Sequence, residues 1–172
     1  MLNAKKIRLR RIEKADLWHL WEWHEKDELY LFKSIKSFVS WDEIHNNFFD
    51  YFAWKGDFVI ENKENNILGI CSYYRVNWKN RSCSMSFKMQ EKYSNSFFSV
   101  HTVQLLVSLV FNELNLIKID SFVPQVSAFD IETFKKSGFV QEGILREHIF
   151  RDNKYLDTYI FSLFREDFDT ND

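Results

Sequence analysis

The sequence predicts an α+β fold in one domain, and three observations carry that reading. Stretches with the two-residue period of a strand and stretches with the 3.6-residue period of a helix follow one another as strand, two helices, three strands, helix, strand, helix, two strands. The three middle strands are joined by short polar turns, which makes them antiparallel neighbours. One long helical pattern, Val100 to Leu114, then carries the chain to the next strand. A chain of 172 residues fits a single domain over residues 1–172, since chains of this size bury roughly 70% of the surface they expose when unfolded.

Ile7-Arg8-Leu9-Arg10-Arg11-Ile12 alternates apolar and charged residues as a half-buried strand does, and the first helix, about Asp16 to Lys26, places Leu17, Leu20, Trp21 and His24 on one face. Trp18 and Trp23 fall off that stripe. Ser40 is an N-cap with acidic residues in the following turn, and Ile44, Phe48, Phe49 and Phe52 keep helical spacing toward Ala53. Glu28 to Val39 has no clean period and reads as a loop or a short helix. Phe58 to Glu61 and Ile67 to Tyr74 flank the turn Asn62 to Asn66; Trp78 to Arg81 makes the next turn. Ser82 to Met89 alternates without a break, with Cys83, Met85, Phe87 and Met89 on one face.

The serine-rich loop Ser94-Asn95-Ser96-Phe97-Phe98-Ser99 then feeds the long helix, whose stripe is Val103, Leu106, Val107, Val110, Phe111 and Leu114. Such an entry offers unpaired N–H groups and a positive dipole end to an anion. Ile117 to Val123 is a strand stopped by Pro124. Phe129 to Ser137 is a helix closed by Gly138, and Phe139–Phe150 and Tyr155–Phe164 form a hairpin around Arg151 to Lys154.

Composition narrows the function. A net charge of −2 with interspersed signs gives no basic surface for nucleic acid. No apolar stretch approaches the ~20 residues of a membrane span, and the charged start is not a signal peptide, so the expected location is cytoplasmic. Cys71 and Cys83 lie in strand patterns without metal-ligand neighbours at short spacing; buried free thiols are expected, and no metal site. An aromatic content of 18% provides apolar area for a homodimer surface.

Three stretches, Phe111-Asn112-Glu113-Leu114-Asn115-Leu116, Lys136-Ser137-Gly138-Phe139-Val140-Gln141-Glu142-Gly143, and Leu145-Arg146-Glu147 with Phe150 through Asp157, carry a family resemblance. The chain resembles the GNAT acyltransferases, in the branch that includes the ribosomal-protein N-terminal acetyltransferases, from Ile7 to Glu166. The resemblance implies a mixed, mostly antiparallel seven-stranded sheet flanked by four helices. It also implies transfer of an acetyl group from acetyl-CoA to a primary amine of a small molecule or peptide. Pantetheine would pair with the open edge of the fourth strand at Phe87-Lys88-Met89, and the pyrophosphate would rest on Ser94, Asn95, Ser96, Phe97, Phe98 and Ser99.

The family's loop motif, Gln/Arg-x-x-Gly-x-Gly/Ala, is degenerate across those six positions, with Phe97 and Ser99 at the small-residue sites. The family's glutamate base position falls on Ser84, a small glycine on Ser86, a helix-leading asparagine on Ser127 and a tyrosine acid on Phe134. Serine is a poor base and phenylalanine donates no proton. His148, on the sixth strand, is the remaining catalytic candidate because that region resembles the family's acceptor cleft. An altered N-acetyltransferase ranks first; a non-catalytic GNAT-fold protein that binds a protein or small-molecule partner is the alternative.

Overall fold

A computed structural model of the chain describes residues 2–3, 6–25, 40–47, 56–94, 97–151 and 153–169. Its strands are β1 (Leu2–Asn3), β2 (Ile7–Arg11), β3 (Asp57–Asn62), β4 (Ile67–Asn77), β5 (Ser82–Met89), β6 (Lys118–Pro124), β7 (Val140–Arg151) and β8 (Lys154–Phe164). They form one sheet in the order β1-β2-β3-β4-β5-β6-β8-β7. All pairs are antiparallel except β5 with β6. This is the expected mixed sheet with one two-residue strand added at its edge, so the strand read as fourth in the sequence is β5.

The described helices are α1 (Leu17–Glu25), α2 (Trp41–Asn46), α3 (Phe97–Ser108), α4 (Ala128–Lys136) and the short α5 (Arg165–Asp169). Ser40 caps α2 as its residue type predicts, accepting a hydrogen bond from the Glu43 N–H at 3.2 Å. The continuation of that helix to Ala53, the segment Glu28 to Val39, Trp54 and the tail past Asp169 lie outside the described residues.

Strand alternation divides the core. Ile7, Leu9, Phe58, Ile60, Cys71, Met85, Phe87 and Ile119 face α3 and α4, where they pack with Val103, Leu106, Val107, Val110, Phe111 and Phe134. On the other face, the paired Val59 and Ile70 are buried, as are Leu17 and Leu20 of α1. At about 25 cal/mol per Å2 of apolar surface, each such fully buried aliphatic side chain stabilises the fold by about 1.5–3 kcal/mol before entropy is counted.

The long helix departs from its expected bounds at both ends. It begins at Phe97 and not Val100, and past Ser108 it widens into a π turn, Leu109–Glu113. The early start follows from Ser99, whose hydroxyl donates to the carbonyls of Ser94 (2.8 Å) and Tyr93 (3.2 Å) and ties the preceding turn to the helix. At the far end Asn115 takes φ +54, and the Arg165 guanidinium donates to the Phe111 and Leu116 carbonyls that the widened turn exposes. α4 ends as read from the sequence, with Gly138 at φ +89.

Candidate functional site

The parallel pair β5–β6 holds register only through Ser82↔Lys118, Cys83↔Ile119 and Ser84↔Asp120. Beyond that point the strands diverge. The Ser121 hydroxyl donates to the Met85 carbonyl at 3.1 Å, satisfying a group that a continued ladder would have paired. Past it opens a groove with about 380 Å3 of space continuous with solvent, walled by Ser86, Phe87 and Lys88 of β5, by Ser121 to Pro124 of β6, and by Ser127, Asp130 and Phe134 at α4.

β5 stays paired with β4 as far as Gly69↔Met89, so the groove side of Phe87–Met89 presents backbone groups with no strand partner among the described residues. Their side chains divide between core and groove. Phe87 and Met89 are buried, Phe87 edge-on against Phe134 with ring centroids 5.4 Å apart, while Lys88 is partly exposed.

The loop ahead of α3 is more self-contained than its serines suggest. Ser94 Oγ donates to the Glu91 carbonyl at 2.7 Å, and Ser99 Oγ is engaged with Ser94 and Tyr93 as above, so neither hydroxyl hydrogen is free for a phosphate. Asn95 and Ser96 lie outside the described residues. Phe97 opens the helix. Its ring is 52% exposed, lies against His101 with centroids 3.4 Å apart, and carries the Lys6 ammonium 5.0 Å from its centre. It therefore turns toward the start of β2 and is no part of the groove wall. Phe98 packs edge-on against Tyr93, 6.1 Å away. Among the described residues, what remains for an anion here is the first-turn backbone N–H groups and the dipole of a 12-residue helix.

Sequence reasoning missed Asp130. It sits in the first turn of α4, one helical turn before Phe134, and its carboxyl lines the groove. Burial pushes its pKa up to about 6, against the opposing pull of the Lys88 ammonium and a hydrogen bond from Ser127. The signal was an acid at i relative to a groove-facing aromatic at i+4.

The face opposite α3 and α4 carries Tyr74, paired with Ser84; Asp120, which accepts from Ser162 at 2.8 Å; and Phe122. Ser86 shares a 3.4 Å contact with the Ser72 hydroxyl. His148 lies on the β7 bulge with Nδ1 3.1 Å from Thr158 Oγ1, and Thr158 is paired with Pro124. The histidine is thus exposed and one strand removed from β6. Both cysteines are free and buried as expected. Desolvation pushes the Cys83 thiol up to about 12 and Cys71 higher still, which leaves them inert. Among the described residues no cluster of metal-ligating side chains occurs.

The fold is shared with known proteins. Residues 9–160 match the family model described as "Acetyltransferase (GNAT) domain". The chain belongs to the GNAT acetyltransferase family. No curated protein sequence matches it. Among solved structures, the GNAT chain is similar to spermidine N-acetyltransferase from Vibrio cholerae in complex with CoA and spermine, with a TM-score of 0.84, 21% identity, and coverage of 96% of this chain and 99% of that one. A mutant form of the spermidine/spermine N-acetyltransferase SpeG from the same organism gives 0.81 at 20% identity, over 98% and 99% of the two chains. A chimera of that enzyme with hSSAT gives 0.80 at 21%, over 94% and 97%. At such identities the likeness speaks for the fold. The acyl donor of GNAT acetyltransferases is acetyl-CoA, and the donors available here fit it: an unpaired strand edge for an amide-bearing arm, and helix N–H groups for a pyrophosphate.

Proposed function

We propose that this GNAT domain is an N-acetyltransferase that passes the acetyl group of acetyl-CoA to the primary amine of a small molecule or peptide. The observation that carries the reading is the parting of β5 and β6 past Ser84↔Asp120, which leaves the β6 side of Phe87–Met89 without a strand partner among the described residues, along a groove walled by β5, β6 and α4. Acetyl-CoA supplies an activated acyl carbon. The chain's part is to hold its extended arm on the β5 edge and its phosphates on backbone N–H groups at Phe97 to Ser99, in place of the family's glycine-bearing loop. The solved neighbours named for spermidine and spermine support a small-molecule acceptor; the resemblance to the ribosomal-protein branch supports a peptide amine.

Ser84, Ser86 and Phe134 supply little proton transfer, so rate comes chiefly from proximity, and His148, held by Thr158, is the candidate base. Exposed Val140, Ile144, Phe150 and Tyr155 on the outer hairpin offer an apolar edge for a homodimer. A cytoplasmic location belongs to the same reading; no helix among the described residues is long and apolar enough to cross a membrane.

The shortage of a base also favours a second reading, a GNAT-fold binder without catalysis. Two measurements separate them. Acetyl-CoA at 100 times its Kd adds about 2.7 kcal/mol, which for a domain of this size raises Tm by roughly 5–10 °C. Amine-dependent release of the CoA thiol then reports transfer. Stabilisation without thiol release from any amine favours the binder, and no stabilisation by millimolar acetyl-CoA refutes both uses of the groove for CoA.

A further inference from the structure

We propose that the acceptor carries a carboxylate at the end away from its amine, and that Arg75 binds it. The proposal rests on the acetyltransferase reading and names the class of acceptor for the same groove.

β4 and β5 pair residue by residue up to Tyr74↔Ser84 and resume only at Asn77↔Ser82. Within that bulge Arg75 takes φ +52, a left-handed conformation that side chains other than glycine adopt rarely. Bulges re-aim side chains. Here the effect is to lay the guanidinium over two rings at once, 5.8 Å from the centre of Tyr74 and 5.8 Å from the centre of Phe122. Tyr74 stands opposite the last β5 residue paired to β6, and Phe122 walls the groove. The cation therefore spans from β4 to β6 where the strands part. It does so on the face opposite α3, with the sheet between it and the helix end that suits a pyrophosphate.

The two β6 charges on this face are paired. Asp120 accepts from Ser162 and lies 3.2 Å from the Lys118 ammonium, which also reaches Glu142 at 3.3 Å; His148 is joined to Thr158. Arg75 is exposed, and among the described residues no carboxylate lies within ion-pair distance of it. Cation–π contact with two rings holds the guanidinium between them without consuming its N–H donors, which stay available to a bidentate partner. A carboxylate fits that fork. The ammonium groups of a polyamine would be repelled from it.

An acceptor held there by its carboxylate lies along Phe122 and Ser84 with its amine toward the groove. Its nitrogen forms a bond to the acetyl carbon as the carbon–sulfur bond breaks. The sulfur leaves with the electron pair, and the proton lost by nitrogen neutralises it.

The test uses the full chain, acetyl-CoA, and ω-amino acids of three to six carbons beside the alkylamines and diamines of equal length. The ω-amino acid is expected to exceed its diamine about ten- to a hundred-fold in kcat/KM. Arg75→Ala should level the ω-amino acid with the alkylamine, and Arg75→Glu should favour the diamine. Both variants should keep the acetyl-CoA shift in Tm. A wild-type preference for diamines or spermidine, or a carboxylate preference that survives Arg75→Ala, overturns the proposal. If no amine is turned over, binding of the N-acetyl ω-amino acids decides. Stabilisation of wild type but not of Arg75→Ala supports the assignment; equal or absent stabilisation overturns it. Failure of the acetyltransferase reading shows separately, as the absence of an acetyl-CoA shift in wild type or of thiol release with any amine.

Discussion

Phe97 illustrates how a residue type misleads when its direction is unknown. A phenylalanine where the family resemblance implies glycine suggests a blocked phosphate loop, yet its ring turns to His101 and Lys6 and is no part of the groove wall. Phe97→Gly is therefore expected to change acetyl-CoA affinity by no more than about two-fold, the scale of a surface substitution. A gain of tenfold or more by calorimetry would mean that the ring does obstruct the site. Asp130 is the opposite case, an ordinary acid made unusual by place. Its folded pKa lies near 6, above the 3.8 of a free aspartate, so the native state prefers the neutral form. The stability tied to that group is complete below pH 4 and is lost as pH rises through 6. Asp130→Asn should then match wild type near pH 4 and exceed it by on the order of 2 kcal/mol at pH 7.5. Thermal melts at both pH values check this; a gap that does not widen with pH contradicts the burial argument.

Among the elements, β5 gives the groove its edge, and Gly69 of β4 sets how closely β5 lies. A Cβ on Gly69 would come 2.2 Å from the Lys88 carbonyl oxygen and 2.9 Å from the Met89 Cα, both backbone atoms that cannot swing aside. Gly69→Ala is expected to cost about 2 kcal/mol or more and to weaken acetyl-CoA binding, because Lys88 and Met89 are the segment displaced. Gly143→Ala, with nothing within 4 Å of its Cβ, is the control and should stay within about 0.5 kcal/mol of wild type. Chemical denaturation of the two variants makes the comparison. The helices show the same dependence on neighbours. α3 kept its predicted apolar stripe, but its two ends were fixed by partners distant from the periodic pattern, Tyr93 at one end and Arg165 at the other.

At the scale of the whole molecule, the sheet and its flanking helices follow from patterns the sequence displays. Ser82 to Met89 alternates and is β5; Ser40 caps a helix; Gly138 ends one; Cys71 and Cys83 are buried. Period and turn chemistry are local properties, so the elements and their order were determined by the sequence alone, and with them the resemblance that named the family. Tertiary structure decided the use made of them. Where β5 leaves β6, which serine hydroxyls remain free, which way Phe97 turns, that Asp130 enters the groove, and that Arg75 bridges Tyr74 to Phe122 depend on which residues meet in space, among them Ser84 with Asp120, Lys6 with Phe97, and Arg75 with Phe122. Such contacts leave no period in the chain. They arise only when packing brings distant segments to within a few ångströms, where side-chain direction and desolvation set the chemistry.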